Sequence, residues 1–103
     1  MKRKIIKDQI KINKNMEIPK KGKVLLQFTA DWCGPCRAMK SVTEEFQSKS
    51  DVTFQKVNVD TESSIAQKYG VRSIPCFVVV EDDEEKIRKV GSQSLSQLLD
   101  LVK

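Results

Sequence analysis

Histidine is absent from this 103-residue chain, and cysteine occurs only three times. A closed structural zinc site draws its four ligands largely from those two residue types, so the chain lacks the means to build one. Three cysteines also do not make a secreted disulfide scaffold. With 39% hydrophobic residues, a chain of this length can bury a core of its own as one domain. No apolar run approaches the ~18 residues of a membrane span. The longest apolar run near the N-terminus is Ile5-Ile6, too short for the core of a signal peptide. A reducing, cytoplasmic setting without a membrane partner is therefore expected. Internal repeats and low-complexity tracts are missing too.

An excess of positive charge is lacking outside the leading segment. Residues 1–23 hold nine Lys or Arg against two acids, whereas residues 24–103 hold ten against twelve, which together give the net +5. No aromatic residue interleaves with the leading lysines, so they read as a solvated segment and nucleic acid is not an expected partner. The segment 1–23 is the least regular part of the single domain 1–103. Lys4-Ile5-Ile6 can form a short edge strand, and Ile10, Ile12, Met16 and Ile18 can line a poor helix or a loop.

From Lys23 the pattern sharpens. Lys23 to Thr29 is a near-continuous apolar run, suited to a central strand. Arg37 to Lys49 has Ala38, Met39, Val42 and Phe46 at helical spacing. Val52 to Val59 is a second strand. Glu62 to Tyr69 is a short helix capped by Asp60 or Thr61 and stopped by Gly70. Phe77 to Val80 and Lys86 to Val90 are strands joined by an acidic turn, hence antiparallel. Ser94 to Lys103 is a closing amphipathic helix. The expected fold class is α/β, a mixed sheet of four to five strands with helices on both faces.

What is present, against this sparse background, is Trp32-Cys33-Gly34-Pro35-Cys36. Two cysteines two residues apart at a strand-to-helix junction form a dithiol that can close and reopen. Unpaired backbone N–H groups and the positive end of the helix dipole favour a thiolate there. Gly34 permits a tight turn and leaves room for another chain, Pro35 suits a first helical turn, and Trp32 shields the first sulfur.

The run Ala30-Asp31-Trp32-Cys33-Gly34-Pro35-Cys36 resembles the active-site signature of the thioredoxin family. The resemblance extends from about Val24 to Lys103. Lys56-Val57-Asn58-Val59-Asp60 is similar to the family's third strand, Tyr69 to Pro75 to the approach to its cis-proline, and Lys89-Val90-Gly91 to its last strand end. Thiol–disulfide exchange needs an attacking thiolate and a resolving thiol. Cys33, ahead of the helix, is the expected attacker, and Cys36, more shielded inside the first turn, the expected resolver. The resemblance implies a thioredoxin fold and a protein-disulfide reductase with no bound cofactor or metal. Electrons would come from NADPH through a flavoprotein thioredoxin reductase, and disulfide-containing proteins would be the substrates of a monomer. It also implies a substrate groove of Trp32, Gly34, Pro35, Ile74, Pro75 and Gly91, with Pro75 cis.

Departures from the family pattern are visible. Gln27 stands where a buried aspartate is usual, Thr29 for a second tryptophan, Ser41 for a helix-kinking proline, Asp83 for a turn glycine and Cys76 for a threonine. Gln27 falls on the face of Leu25 and Thr29, which the resemblance places beneath Cys36. An amide cannot exchange protons there, so Gln27 and Lys56 are expected to tune how Cys36 loses its proton. Two further readings stay open: a glutathione-fed relative, and a binding subunit that uses the fold as a scaffold.

Overall fold

The computed structural model describes residues 16–103. Its centre is strand β1, Lys23–Thr29, in which five consecutive residues are buried. Burial on both faces explains why the run carries no polar alternation apart from Gln27. Strand β2, Thr53–Asn58, lies parallel to β1, while β3, Cys76–Glu81, lies antiparallel on its other side and pairs in turn with β4, Glu84–Val90. The order β2-β1-β3-β4 makes a mixed four-stranded sheet. The expected edge strand Lys4-Ile5-Ile6 lies outside the described residues, as do Ile10 and Ile12. Met16 and Ile18 pack against the sheet.

Alternation along β1 divides the core in two. Val24, Leu26 and Phe28 join Val57, Cys76, Val78 and Val80 under the short helix α3, Ser63–Lys68, through Ala66 and the adjoining Tyr69. Leu25 joins Phe77 and Val79 on the opposite face. There they meet Phe46 of helix α2, Lys40–Lys49, and Leu98 of helix α4, Leu95–Leu101. Each fully buried aromatic or aliphatic side chain contributes about 1.5–3 kcal/mol of transfer free energy, so both faces are needed. Helix α4 starts in a reciprocal cap: Ser94 Oγ accepts from Gln97 N, and Gln97 Oε1 accepts from Ser94 N. Lys23 Nζ donates to the Val102 carbonyl at its other end, 2.7 Å away.

Three sequence expectations change. The helix expected over Arg37 to Lys49 begins earlier and is two helices, α1 at Gly34–Ala38 and α2. Met39 breaks it: its N–H reaches the Cys36 carbonyl three residues back instead of four, at 3.1 Å. The break occurs without a proline, and it lets Cys36 pack with Ala30 and Cys33 while Met39 and Phe46 pack with Leu25. Neither Asp60 nor Thr61 caps α3, because the N-cap residue is Glu62 and it makes no side-chain bond. The turn between β3 and β4 is narrower than expected, two residues, and β4 correspondingly starts at Glu84. Asp82 (φ 52°) and Asp83 (φ 70°) both occupy the left-handed region, the geometry of a tight hairpin. Asp82 is tied to Gly22 by a backbone bond and by its carboxylate, which accepts from Gly22 N at 2.9 Å.

Candidate functional site

Strand β1 ends at Thr29, and a three-residue turn delivers Cys33 to the N-cap of α1. Its backbone is extended (φ −87°, ψ 106°), and its Sγ accepts from the Cys36 N–H at 3.2 Å. The chain reverses so tightly that Cys33 and Cys36, with Cα atoms 5.2 Å apart, are joined as a disulfide. The molecule is thus in its oxidised form. Gly34 and Pro35 lie exposed between them. Gly34 is not held by any need for a left-handed backbone, and a Cβ there would meet nothing within 4 Å. What remains of the expectation for Gly34 is the open space around it.

The expected contrast in shielding is not found. Cys33 is 4% exposed and Cys36 5%, because each sulfur covers the other in the disulfide and both rest on Ala30, Val59 and Ile74. The two cysteines differ in surroundings rather than in exposure. Cys36, not Cys33, lines a cavity of about 510 Å³, together with Thr29, Lys56, Asn58 and Arg37.

Of the other expected residues, Ile74 packs against the cysteine pair, and the Ile74–Pro75 peptide is cis. Gly91 donates from its N–H to the Pro75 carbonyl at 2.8 Å, with φ +99°, so the end of β4 is held beside Pro75. This is a conformation that favours glycine. Trp32 is 67% exposed, a large apolar surface left open beside the dithiol. Lys56 is exposed and shares the cavity with Cys36. Gln27, the register partner of Lys56 across β1 and β2, is buried, and neither its Oε1 nor its Nε2 has a hydrogen-bond partner.

Two bonds that the sequence did not indicate complete the site. Asp60 accepts from the Trp32 indole N–H at 2.9 Å, and Arg37 donates to the Asp31 carbonyl at 2.6 Å. Nothing local in the sequence marks Asp60 as the partner of a side chain 28 positions earlier. Cys76 is buried on the α3 face with a free thiol. Burial pushes that thiol above its ordinary value, with Arg88 opposing and Glu85 assisting. Arg88 itself is held by the Glu85 carboxylate at 2.8 and 2.9 Å and donates to the Tyr69 carbonyl. Among the described residues no group of three or more potential ligands could hold a metal ion, and no helix is long and apolar enough to cross a membrane.

Comparison with known proteins gives one answer. The family model described as Thioredoxin matches residues 6–103. A thioredoxin of Mycoplasma genitalium is 41% identical over 85 residues, covering 79% of this chain and 80% of its own. A thioredoxin of Rickettsia felis is 37% identical over 81 residues, covering 77% of each chain. Among solved structures, a mutant thioredoxin from Halobacterium salinarum NRC-1 superposes with a TM-score of 0.76 at 37% identity, covering 81% of this chain and 74% of its own.

Proposed function

The chain belongs to the thioredoxin family of thiol–disulfide oxidoreductases, and from that premise we propose how its residues divide the reaction. Cys33, as thiolate, attacks one sulfur of a target disulfide and releases the other as a thiol after protonation. Cys36 loses its proton and attacks Cys33 Sγ, which frees the second target thiol and leaves the Cys33–Cys36 disulfide. Two electrons and two protons pass to the target. The carrying observation is the N-cap geometry, in which the Cys36 N–H points at Cys33 Sγ. A backbone donor at that place favours the charged form of the attacking sulfur.

Cys36 must shed its proton toward the cavity it lines. Gln27 offers a neutral amide and not a base, so the proton leaves through that cavity to solvent, with the Lys56 ammonium favouring the thiolate by charge. The target's extended segment lies on Trp32, Gly34, Pro35, Ile74, Pro75 and Gly91, where the exposed indole and the open space over Gly34 give it room. The protein works as a single-domain monomer in the cytoplasm and binds no cofactor. It is recharged with electrons from NADPH by a flavoprotein thioredoxin reductase and reduces disulfide-containing proteins. The Gly34-Pro35 pair and the similarity to thioredoxins support this electron source over glutathione.

Two measurements test the reading. NADPH consumption with insulin as substrate should depend on thioredoxin reductase, and glutathione with glutathione reductase should not replace it. Cys33→Ser should abolish disulfide reduction, whereas Cys36→Ser should accumulate mixed disulfides on Cys33. A partner trapped on Cys36 would reverse the two roles.

A further inference from the structure

Trp32 stands 67% exposed next to Cys33, and a side chain so open has little packing to fix its direction. Its indole N–H is tied to Asp60 Oδ2 at 2.9 Å. Asp60 is itself exposed, in the loop between β2 and α3. That loop is held by one residue, Asn58, at the end of β2. Its Oδ1 accepts from Asp60 N at 2.8 Å and from Thr61 N at 3.2 Å. Its main-chain carbonyl accepts from Glu62 N at 2.8 Å. Three successive N–H groups after Val59 thus converge on Asn58. The base of Asn58 is fixed by β-pairing with Thr29, reinforced by the bond from Val59 N to the Thr29 carbonyl at 2.8 Å. On its other side, Nδ2 faces Asp31 Oδ1 at 3.4 Å, in the turn that carries Trp32.

We propose that Asn58 is a positioning residue of the reductase: through the Asp60 loop it holds Trp32 in place as the ledge on which a protein substrate rests. This rests on the dithiol reading given above. Asn58 touches neither sulfur nor substrate. It joins two loops, Asp31-Trp32 and Asp60-Thr61, that are adjacent only because β1 and β2 are paired. An amide suits the place. Its oxygen gathers the N–H groups, and its nitrogen approaches Asp31 without adding a third carboxylate to Asp31 and Asp60, where like charges repel. A serine at this place retains an acceptor for the loop N–H groups, since hydroxyls make the same short-range turn more weakly.

The chain has a single tryptophan, so fluorescence reports on Trp32 alone. In the full-length oxidised protein, Asn58→Ala should increase acrylamide quenching of Trp32, and Asn58→Ser should restore most of the protection. With insulin and thioredoxin reductase, Asn58→Ala should raise KM roughly three- to tenfold, the range that one lost hydrogen bond supplies, with kcat largely retained. Because Asn58 acts through Asp60, Asn58→Ala combined with Asp60→Ala should be no worse than Asp60→Ala alone. Unchanged quenching, additive effects in the pair, or a fall in kcat at constant KM would each overturn the proposal. Should Asn58→Ala not fold, the wild type decides: the Asp60 and Thr61 amides and the Trp32 indole N–H should be protected from hydrogen exchange, and free exchange at all three refutes the anchor. Quenching and exchange need no turnover, so a failure of the reductase reading would show separately, as absent insulin reduction in the wild type.

Discussion

Cys76 and Gln27 are the two buried side chains whose chemistry the fold leaves most exposed to test. The Cys76 thiol is raised above its ordinary value of 9.0, with burial as the leading cause. A thiol raised in the folded state favours folding in its neutral form, so stability is unaffected well below the unfolded value and is lost as pH climbs through it toward the folded one. Urea unfolding of wild type and Cys76→Ala should therefore run parallel at pH 7 and diverge above about pH 9, where wild type loses more. Equal slopes would mean that the thiol is not sheltered. Alkylation of folded protein should likewise label Cys76 slowly. Gln27 is sealed with both amide atoms unpartnered. Gln27→Asp would place a titratable group on the face of β1 that the resemblance to the family puts beneath Cys36. It should speed resolution of the mixed disulfide, by up to about 10²-fold, and lower stability by more than about 1 kcal/mol through the cost of a buried carboxyl. Stopped-flow resolution rates and urea midpoints report the two effects. An unchanged rate would remove Gln27 from proton handling. At this scale the sequence was readable where chain neighbours are the partners. Cys33 and Cys36 are three apart, and strand alternation alone put Gln27 on the face of Leu25. The bond from Trp32 to Asp60 and the approach of Asn58 to Asp31 were not readable, because each joins two loops that only sheet pairing brings near.

Among the elements, the β3–β4 hairpin carries a cost that can be removed. Asp83 has φ 70°, a conformation that costs an L-residue about 1–2 kcal/mol and glycine nothing. Asp82 shares the geometry, but its carboxylate holds Gly22, so Asp83 is the better site. Asp83→Gly should stabilise the protein by about 0.5–1 kcal/mol after the added freedom of the unfolded chain is subtracted, read as a higher urea midpoint at constant slope. The same change should lower the Tyr69 pKa slightly. Burial is the main reason that pKa is raised, and the Asp83 charge is the next. A phenol titration followed by absorbance gives this second reading. Strand and helix types followed from period and length, and α4 starts directly after its Ser94 cap. The interruption at Met39 did not follow. The segment 37–49 has an unbroken helical pattern, and the break comes from two packing demands on one helix, Cys36 toward Cys33 and Phe46 toward Leu25.

For the whole molecule, the division of the core by the sheet sets how mutations combine. Phe28 lies in the cluster under α3, and Phe46 in the cluster under α2 and α4. Packed layers in sheet proteins stand about 10 Å apart, and sites so separated without shared partners add within about 0.5 kcal/mol. Phe28→Leu and Phe46→Leu should each destabilise by about 1–2 kcal/mol through lost packing, and the double variant by their sum. A coupling well above about 0.5 kcal/mol in urea unfolding would mean that strain passes through the sheet. The sequence by itself determined the reaction type, because the dithiol, its turn and its helix are contiguous and their chemistry is local. It also determined the α/β class, because apolar period is written residue by residue. Tertiary structure decided the rest. Pairing of β1 with β2 puts Asn58 opposite Thr29 and brings Asp60 to Trp32, and the Gly91 bond to Pro75 closes the far side of the site. Those contacts depend on register between strands, a relation among distant segments that no local pattern specifies.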